Sequence, residues 1–554
     1  MHPPRPTRAP RPLRPALLGL GFGWAAGCTP GPGADSASPG GTDAADGDRV
    51  PAAFDLDPRA CVDPGARDAL GAFSEWTSPV WETQHVEPID EDNLESGGWG
   101  VAVEDFDGDG VLDLYLPHFD AHELWLGDGS GWNPADTALV FVDTPHASGA
   151  APGDLDGDGD MDLMLAGGKR LALLNDGSGR FEATDWLPMA SGGNFSTALG
   201  DVDQDGVLDV LVPLMGEPDG AASEADLPPG TPTVLGLGDG AGGFTAAPDA
   251  LPADTNDGYP FQGSLLDMNG DGALDIYIAN DHGSVVRSNR YWRNEGGSFV
   301  DASTAAGLDV PMNAMGTAVG DLNFDGLPDL AHSGIYEVAL LESVRRDDGE
   351  PTWARTDAGR DLQLDAERGQ EVAWGLDFGD VDNDGHLDLW VGYGFKTRYA
   401  RDQASALYRR DGDRFVDVAP ALGLDASGVT RGGLLVDVDR DGWLDLITRD
   451  LGGPARLWRA RCGSEAWLLV QPRQDGPNAF AVGARVEVDV DGRTHTRWIR
   501  AGGHSLSSGG PAEAHFGLGA ADRVDAVRVV WPDGAVSEAL DVETRGRLAV
   551  RRGD

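Results

Sequence analysis

The chain has 554 residues, 93 of them acidic and 41 basic, for a formal net charge of −52. A field of that sign repels a phosphate backbone and argues against nucleic-acid binding. The 80 glycines and 36 prolines recur at fixed offsets, as expected of many short strands joined by tight turns, with helices scarce.

In chain order, the N-terminus presents Arg5, Arg8, Arg11 and Arg14 and then the apolar run 16–26. A basic segment followed by an apolar stretch too short to cross a bilayer reads as an export signal. Ala25-Ala26-Gly27-Cys28 resembles the bacterial lipobox. The resemblance implies a lipid on Cys28, residues 1–28 as the signal, and a place in the cell envelope at the outer membrane or cell surface. The membrane would be met only through this anchor, because no other apolar run reaches transmembrane length. Residues 29–51 are rich in Gly, Pro, Ala, Ser and Asp without apolar periodicity, which predicts a disordered tether. With Cys28 lipidated, Cys61 and Cys462 make the one possible intrachain disulfide of an exported protein with three cysteines.

The stretch Asp105-Phe106-Asp107-Gly108-Asp109-Gly110-Val111-Leu112-Asp113 runs straight into Leu114-Tyr115-Leu116. Further copies begin at Asp154, Asp201, Asp267, Asp321, Asp380 and Asp437, each with a carboxylate or amide at positions 1, 3 and 5, Gly at 6 and Asp at 9. Ca2+ takes six to eight oxygens at about 2.3–2.6 Å, so a short loop must offer several carboxylates and a backbone carbonyl. Glycine at position 6 permits the sharp turn that folds positions 1, 3 and 5 around one point. An EF-hand would carry Glu at position 12, where Leu116 and Leu165 stand instead. Asx turns alone are the simpler alternative, but a bare turn gains nothing from four like charges that repel one another.

Numbering the copies loops 1 to 7, the expected ligands are Asp105, Asp107, Asp109, Asp113 and the Val111 carbonyl in loop 1. Loop 2 offers Asp154, Asp156, Asp158, Asp162 and the Asp160 carbonyl; loop 3 offers Asp201, Asp203, Asp205, Asp209 and the Val207 carbonyl. Loops 4 and 5 offer Asp267, Asn269, Asp271, Asp275 with Ala273, and Asp321, Asn323, Asp325, Asp329 with Leu327. Loop 6 offers Asp380, Asp382, Asp384, Asp388 with His386, and loop 7 Asp437, Asp439, Asp441, Asp445 with Trp443. Up to seven structural Ca2+ would raise −52 by 14, to −38. Such a protein should lose stability in chelator, because metal binding is linked to folding.

The loops start 49, 47, 66, 54, 59 and 57 residues apart, a period that marks solenoids and propellers. One strand enters each loop (98–103, 316–319), a second leaves it (112–116, 274–278), a third follows (171–174, 234–237), and a fourth opens with Phe181, Phe244, Phe299 or Phe415. Four antiparallel strands per repeat make a propeller blade, so the prediction is an all-β, seven-bladed propeller over 98–462 and a small β domain over 463–554. The last repeat stops after its third strand, Ala455-Arg456-Leu457-Trp458-Arg459, while Phe73-Ser74-Glu75-Trp76-Thr77 resembles the fourth strand Phe299-Val300-Asp301-Ala302-Ser303. A strand within 52–97 is therefore expected to complete blade 7 and remove the open edges. Cys61 and Cys462 flank these partners, so their disulfide would staple the seam.

From 98 to 458 the chain resembles the FG-GAP/VCBS repeat family, whose blades carry such calcium loops, as in integrin α-subunit heads. From 465 onward it resembles the ASPIC/UnbV domain, through Trp467-Leu468-Leu469-Val470, Ala481-Val482-Gly483-Ala484-Arg485-Val486, His515-Phe516-Gly517-Leu518-Gly519 and Val529-Val530-Trp531-Pro532-Asp533-Gly534. The combination is that of the cartilage acidic protein type and its bacterial relatives. His504-Ser505-Leu506-Ser507-Ser508 departs from the family's Gly-Tyr and Ser-Gln pattern and leaves the role of that loop open. His515 is read as a packed strand-end histidine, and the terminal Arg552-Gly553-Asp554 as a coincidental adhesion tripeptide.

The acidic loops occupy one face of the predicted ring, so the second-to-third and fourth-to-first connections occupy the other. That face is the candidate partner surface, with His118, Phe119, Asp281, His282 and the stretch Phe395-Lys396-Thr397-Arg398-Tyr399, since long loops on a rigid scaffold commonly carry binding. The chain shows none of the Gly-x-Ser-x-Gly, His-Glu-x-x-His, Cys-x-x-Cys or phosphate-loop patterns. The expected role is a non-enzymatic, Ca2+-stabilised envelope lipoprotein that binds a protein or glycan. The alternatives are an enzyme acting on polysaccharide through channel carboxylates and an assembly or maturation factor for exported proteins; oligomeric state is left open.

Overall fold

The computed structural model describes residues 49–59, 73–77, 98–118, 122–129, 131–135, 147–167, 171–185, 193–216, 226–347, 349–360, 362, 371–394, 403–424 and 427–553. The expected sites at Cys28, Cys61, Phe119, Phe395, Arg398 and Tyr399 lie outside them, as does nearly all of the expected tether. Cys462 is buried and disulfide-bonded.

Among the described residues, seven antiparallel arrays follow one another, each built around one acidic loop; six are four-stranded, and the third gains a fifth strand where Ala501–Gly502 of the tail pairs with Ala198 and Leu199. Blade 1 consists of Ala102–Glu104, Asp113–Pro117, His122–Gly127 and Trp132–Pro134. The loop always joins the first strand to the second, and the register repeats. In every blade the residue before position 1 lies opposite position 9: Glu104 opposite Asp113, Gly153 opposite Asp162, Gly379 opposite Asp388, Val436 opposite Asp445.

The apolar run after each loop is explained by burial on both faces, since successive side chains of a strand point to opposite sides. Leu114 packs toward Ile447 of blade 7, and its neighbour Tyr115 toward Leu163 of blade 2. The same alternation carries the ring onward through Met164 with Val210, Leu211 with Ile276, Tyr277 with Leu330, Ala331 with Leu389, and Trp390 with Leu446. Each contact joins one blade to the next, and Leu114 with Ile447 closes the ring between blade 7 and blade 1. Blade 7 combines Thr430–Val436, Asp445–Asp450 and Ala455–Ala460 with the distant strand Phe73–Trp76, with Phe73 opposite Ala460 and Trp76 opposite Leu457. Trp76 then meets Trp132 of blade 1 edge-on at 6.3 Å, so the closing strand also packs across the seam.

The tail is a pair of four-stranded sheets. One contains Arg485–Val490, Arg493–Trp498, Arg523–Val530 and Val536–Glu543. The other contains Ala466–Arg473, Ala514–Gly519 and Gly546–Arg552, and its fourth strand is Ala52–Pro58 from the other end of the chain. That strand was not expected. The tether assignment also ran too far, because Arg49 bridges Val536 and the Val50 amide donates to the Val536 carbonyl at 2.8 Å. Val488, Val527, Phe516 and Leu548 share one apolar core with Tyr115 and Leu163 of the propeller, so tail and ring are joined through their interiors.

Candidate metal centres

Each acidic loop is a chain of carboxylate-to-backbone hydrogen bonds. In loop 1, Asp105 accepts from the amides of Asp109 and Gly110 at 3.1 and 2.8 Å. Asp109 accepts from the Val111 amide at 2.8 Å. Asp113 accepts from Phe106 through one oxygen and from Gly127, on the third strand, through the other, both at 2.8 Å. Position 9 thereby ties the loop to the blade. Loops 2 to 6 repeat that double tie at Asp162, Asp209, Asp275, Asp329 and Asp388. Position 6 is glycine because the turn needs a left-handed backbone there, with φ of 90° at both Gly110 and Gly442.

These bonds gather carboxylates instead of dispersing them. In loops 1, 2, 3 and 6 the aspartates at positions 1, 3 and 9, and in loop 7 those at positions 1, 3 and 5, bring one oxygen each within 4.8 Å of one another. Loops 4 and 5 substitute an amide oxygen at position 3, through Asn269 and Asn323. Burial, reinforced by neighbouring carboxylates, pushes Asp113, Asp162, Asp209 and Asp275 up to about 7 and Asp329 to about 8. Asp380, Asp388, Asp437 and Asp445 are held well above the usual carboxylate range for the same reason. A divalent cation removes both costs by neutralising the cluster. The donor set fits Ca2+ in a further respect: Asp382 Oδ1, Asp439 Oδ1 and Asp445 Oδ2 are buried without a hydrogen-bond partner. Such oxygens are ordinarily met by water or an ion, and the other oxygens of Asp382 and Asp439 lie 3.6 and 3.5 Å from Arg409 and Arg459. The position-7 residues Val111, Asp160, Val207, Ala273, Leu327, His386 and Trp443 follow the turn, where a carbonyl can complete the set.

The tail covers the loop face unevenly. His515 Nε2 donates to the Gly442 carbonyl at 3.0 Å, and the Gly519 amide donates to the Asn383 carbonyl at 2.7 Å. Arg440 pairs with Glu513, both nearly buried. The packed reading of His515 therefore holds, and burial lowers its pKa to about 4.

From this face the tail sends 503–510 down the central channel. The Gly509 amide donates to the Val101 carbonyl at 2.9 Å and the Val103 amide donates to the Gly509 carbonyl at 3.0 Å. Gln262 accepts from the Leu506 amide at 3.0 Å and donates to the Gly503 and Thr317 carbonyls at 2.6 and 3.0 Å. Ser507 donates to the Phe195 carbonyl. Gly100 and Gly149 line the passage, where a Cβ on either would overlap the Ser507 carbonyl. Leu506 is fully buried against Trp99, Phe195, Phe261, Met315 and Trp374.

These contact residues were missed in the sequence although a signal was present. Counting back six residues from position 1 of each loop gives Trp99, Ser148, Phe195, Phe261, Met315, Trp374 and Arg431, one per blade. In five blades the strand register shifts at this point, between Ala147 and Gly149, Pro260 and Gln262, Ala314 and Thr317, Ala373 and Leu376, and Thr430 and Gly432. A bulge of this kind re-aims a side chain. Trp99 stacks on Phe195 at 4.5 Å, Phe195 on Phe261 at 4.8 Å, and the Arg431 guanidinium lies 3.5 Å from the Trp374 ring centre.

The candidate partner face is corrected at two positions. His118 is fully buried, 3.0 Å from Arg449 Nη2 and 3.6 Å from a Glu123 carboxylate oxygen. Asp281 is 7% exposed at the end of the strand Asp275–Asp281, opposite Tyr259, and lies 3.4 Å from the partly exposed His282.

Fold and loops together define an Asp-loop β-propeller with an interlocked β-sandwich tail. The ASPIC and UnbV family matches residues 474–554 of the tail, and the FG-GAP-like repeat matches residues 267–332. The chain is similar to cartilage acidic protein 1, with 31% identity to the Mus musculus protein over 279 residues, 47% of this chain and 40% of that one. The match thus spans about two fifths of the relative's length. Among solved structures, an Agrocybe aegerita lectin that recognises non-reducing terminal N-acetylglucosamine aligns over 66% of this chain and 94% of its own, at 17% identity and a TM-score of 0.39. YCF48 from Cyanidioschyzon merolae aligns over 70% of this chain and 98% of its own, at 11% identity and a TM-score of 0.41.

Proposed function

We propose that the chain is a non-enzymatic, Ca2+-loaded binding scaffold, exported and held in the cell envelope through Cys28, whose face opposite the acidic loops engages a protein or glycan. The observation that carries this reading is the filled channel. The axial space through which a propeller would admit a substrate is taken by Leu506 and Ser507 above a buried aromatic floor. Binding is then left to the outer connections, where Arg398 and Tyr399 are the leading candidates. The unpartnered carboxylate oxygens of loops 6 and 7 support Ca2+ as the resident ion. Export is supported by the N-terminal signal pattern and by the bonded Cys462. No helix among the described residues is long and apolar enough to cross a membrane.

Equilibrium dialysis with Ca2+ tests the metal: several bound equivalents are expected, and none would overturn that part. A glycan array and capture from envelope extracts test the binding face. Tyr399→Ala should abolish capture while leaving the melting temperature unchanged, and turnover of a polysaccharide by the purified protein would sink the non-enzymatic assignment.

A further inference from the structure

We propose that the tail domain divides the loops into two affinity classes, with loops 6 and 7 forming a tight Ca2+ pair whose occupancy is coupled to tail docking. This rests on the reading of the loops as Ca2+ sites. All seven carry nearly the same residues, so the division originates in what surrounds them.

In loops 1 to 4 the turn residues at positions 4 and 5 face solvent, while in loops 6 and 7 positions 4 and 6 are buried. Asn383, at position 4 of loop 6, donates to the Gly442 carbonyl of loop 7 at 3.0 Å. That carbonyl also accepts from His515, and the Asn383 carbonyl accepts from the Gly519 amide. Arg440, at position 4 of loop 7, is held by Glu513. Two loops are thus linked to each other and to three tail residues.

Pinned turns cannot spread their carboxylates apart when an ion leaves. Among the described residues, the buried aspartate oxygens without a hydrogen-bond partner are those of Asp382, Asp439 and Asp445, all in this pair. An ion here meets ligands already in place and poorly solvated, which strengthens its attraction and removes the cost of ordering them. Asp384 keeps 44% of its side chain exposed, so the ion still has an entrance and the difference is one of affinity. By linkage, an ion that favours the docked tail is itself favoured by docking to the same degree.

The test is a competition titration of the full chain with Ca2+ alone against a graded series of chelators. Two equivalents should resist at chelator strengths about tenfold above those that strip the remainder, a difference of about 1.4 kcal/mol. Asp382→Ala and Asp439→Ala, which remove the ligating oxygen that the asparagines of loops 4 and 5 keep, should each remove one resistant equivalent, whereas Asp107→Ala should remove one weak equivalent. Glu513→Gln, which leaves loop residues untouched, should shift the resistant pair toward the weak class. A single uniform class, or a resistant pair surviving both Asp382→Ala and Asp439→Ala, would overturn the proposal while leaving the Ca2+ reading intact. Absence of bound Ca2+ in the unmodified chain would remove both.

Discussion

Loops 3 and 7 carry aspartate at positions 1, 3, 5 and 9 in the same spacing, yet they occupy different surroundings. Position 4 of loop 3 is Gln204, an exposed residue whose amide donates to the Gly272 carbonyl of loop 4 at 3.1 Å. Position 4 of loop 7 is Arg440, 9% exposed and paired with Glu513 of the tail. Both oxygens of Asp209 are satisfied by amides, those of Val202 and Gly238. Asp445 has one oxygen satisfied by Ala460 and one without a partner. A short motif thus specifies its own turn and leaves its environment, and hence the strength of its demand for a cation, to the domain that lands on it.

The comparison can be broken or sharpened by experiment. The largest effect is expected from removing every ion. Each site loaded at a hundredfold excess over its Kd contributes about 2.7 kcal/mol, so chelator should lower the melting temperature by more than about 10 °C. The stripped protein should also show an inverted pH trend. Asp113, Asp162 and Asp209 are raised from 3.8 to about 7 in the folded chain. Groups raised in this way contribute stability that is full below the unfolded value and is lost as pH rises through the folded one. Melting in chelator should therefore fall between about pH 4 and pH 8, and Ca2+ should abolish the fall.

Next in size is Arg440→Ala, which leaves Glu513 buried without its ion partner and should cost about 3–5 kcal/mol by denaturant unfolding. Its counterpart in loop 3, Gln204→Ala, should stay within about 0.5 kcal/mol. Equal effects would mean that the tail does not distinguish the loops. Leu506→Ala, which empties a buried site at the channel floor, should cost about 2–5 kcal/mol. A negligible loss would show that the loop merely occupies the passage without stabilising the ring.

Much of the architecture was legible because it repeats. Seven in-phase loops mark seven hairpins, and the alternation in Leu114-Tyr115-Leu116 reports a strand buried on both faces. The closing strand was legible by elimination, since one repeat lacked a fourth strand and Phe73–Trp76 looked like one. The strand Ala52–Pro58 was not, because half-buried alternation gives no address and its partner Gly546–Arg552 lies at the far end of the chain. The channel residues were periodic but concealed, since tryptophan, serine, phenylalanine, methionine and arginine share no chemistry that a repeat search would notice. His118 misled because a polar residue after a strand usually marks surface, whereas its ring is buried beside Arg449 and Glu123.

By itself the sequence determined the local geometry: the turn at each glycine, the aspartates gathered around it, and the register that places position 9 opposite the residue before position 1. These are set within a few residues by backbone sterics and short hydrogen bonds. Tertiary structure alone decided that the tail pins the turns of loops 6 and 7, that residues 503–510 fill the channel, and that Ala52–Pro58 and Gly546–Arg552 share a sheet. Those outcomes depend on apolar surfaces and charges brought together across hundreds of residues, whose complementarity exists only once the ring has closed.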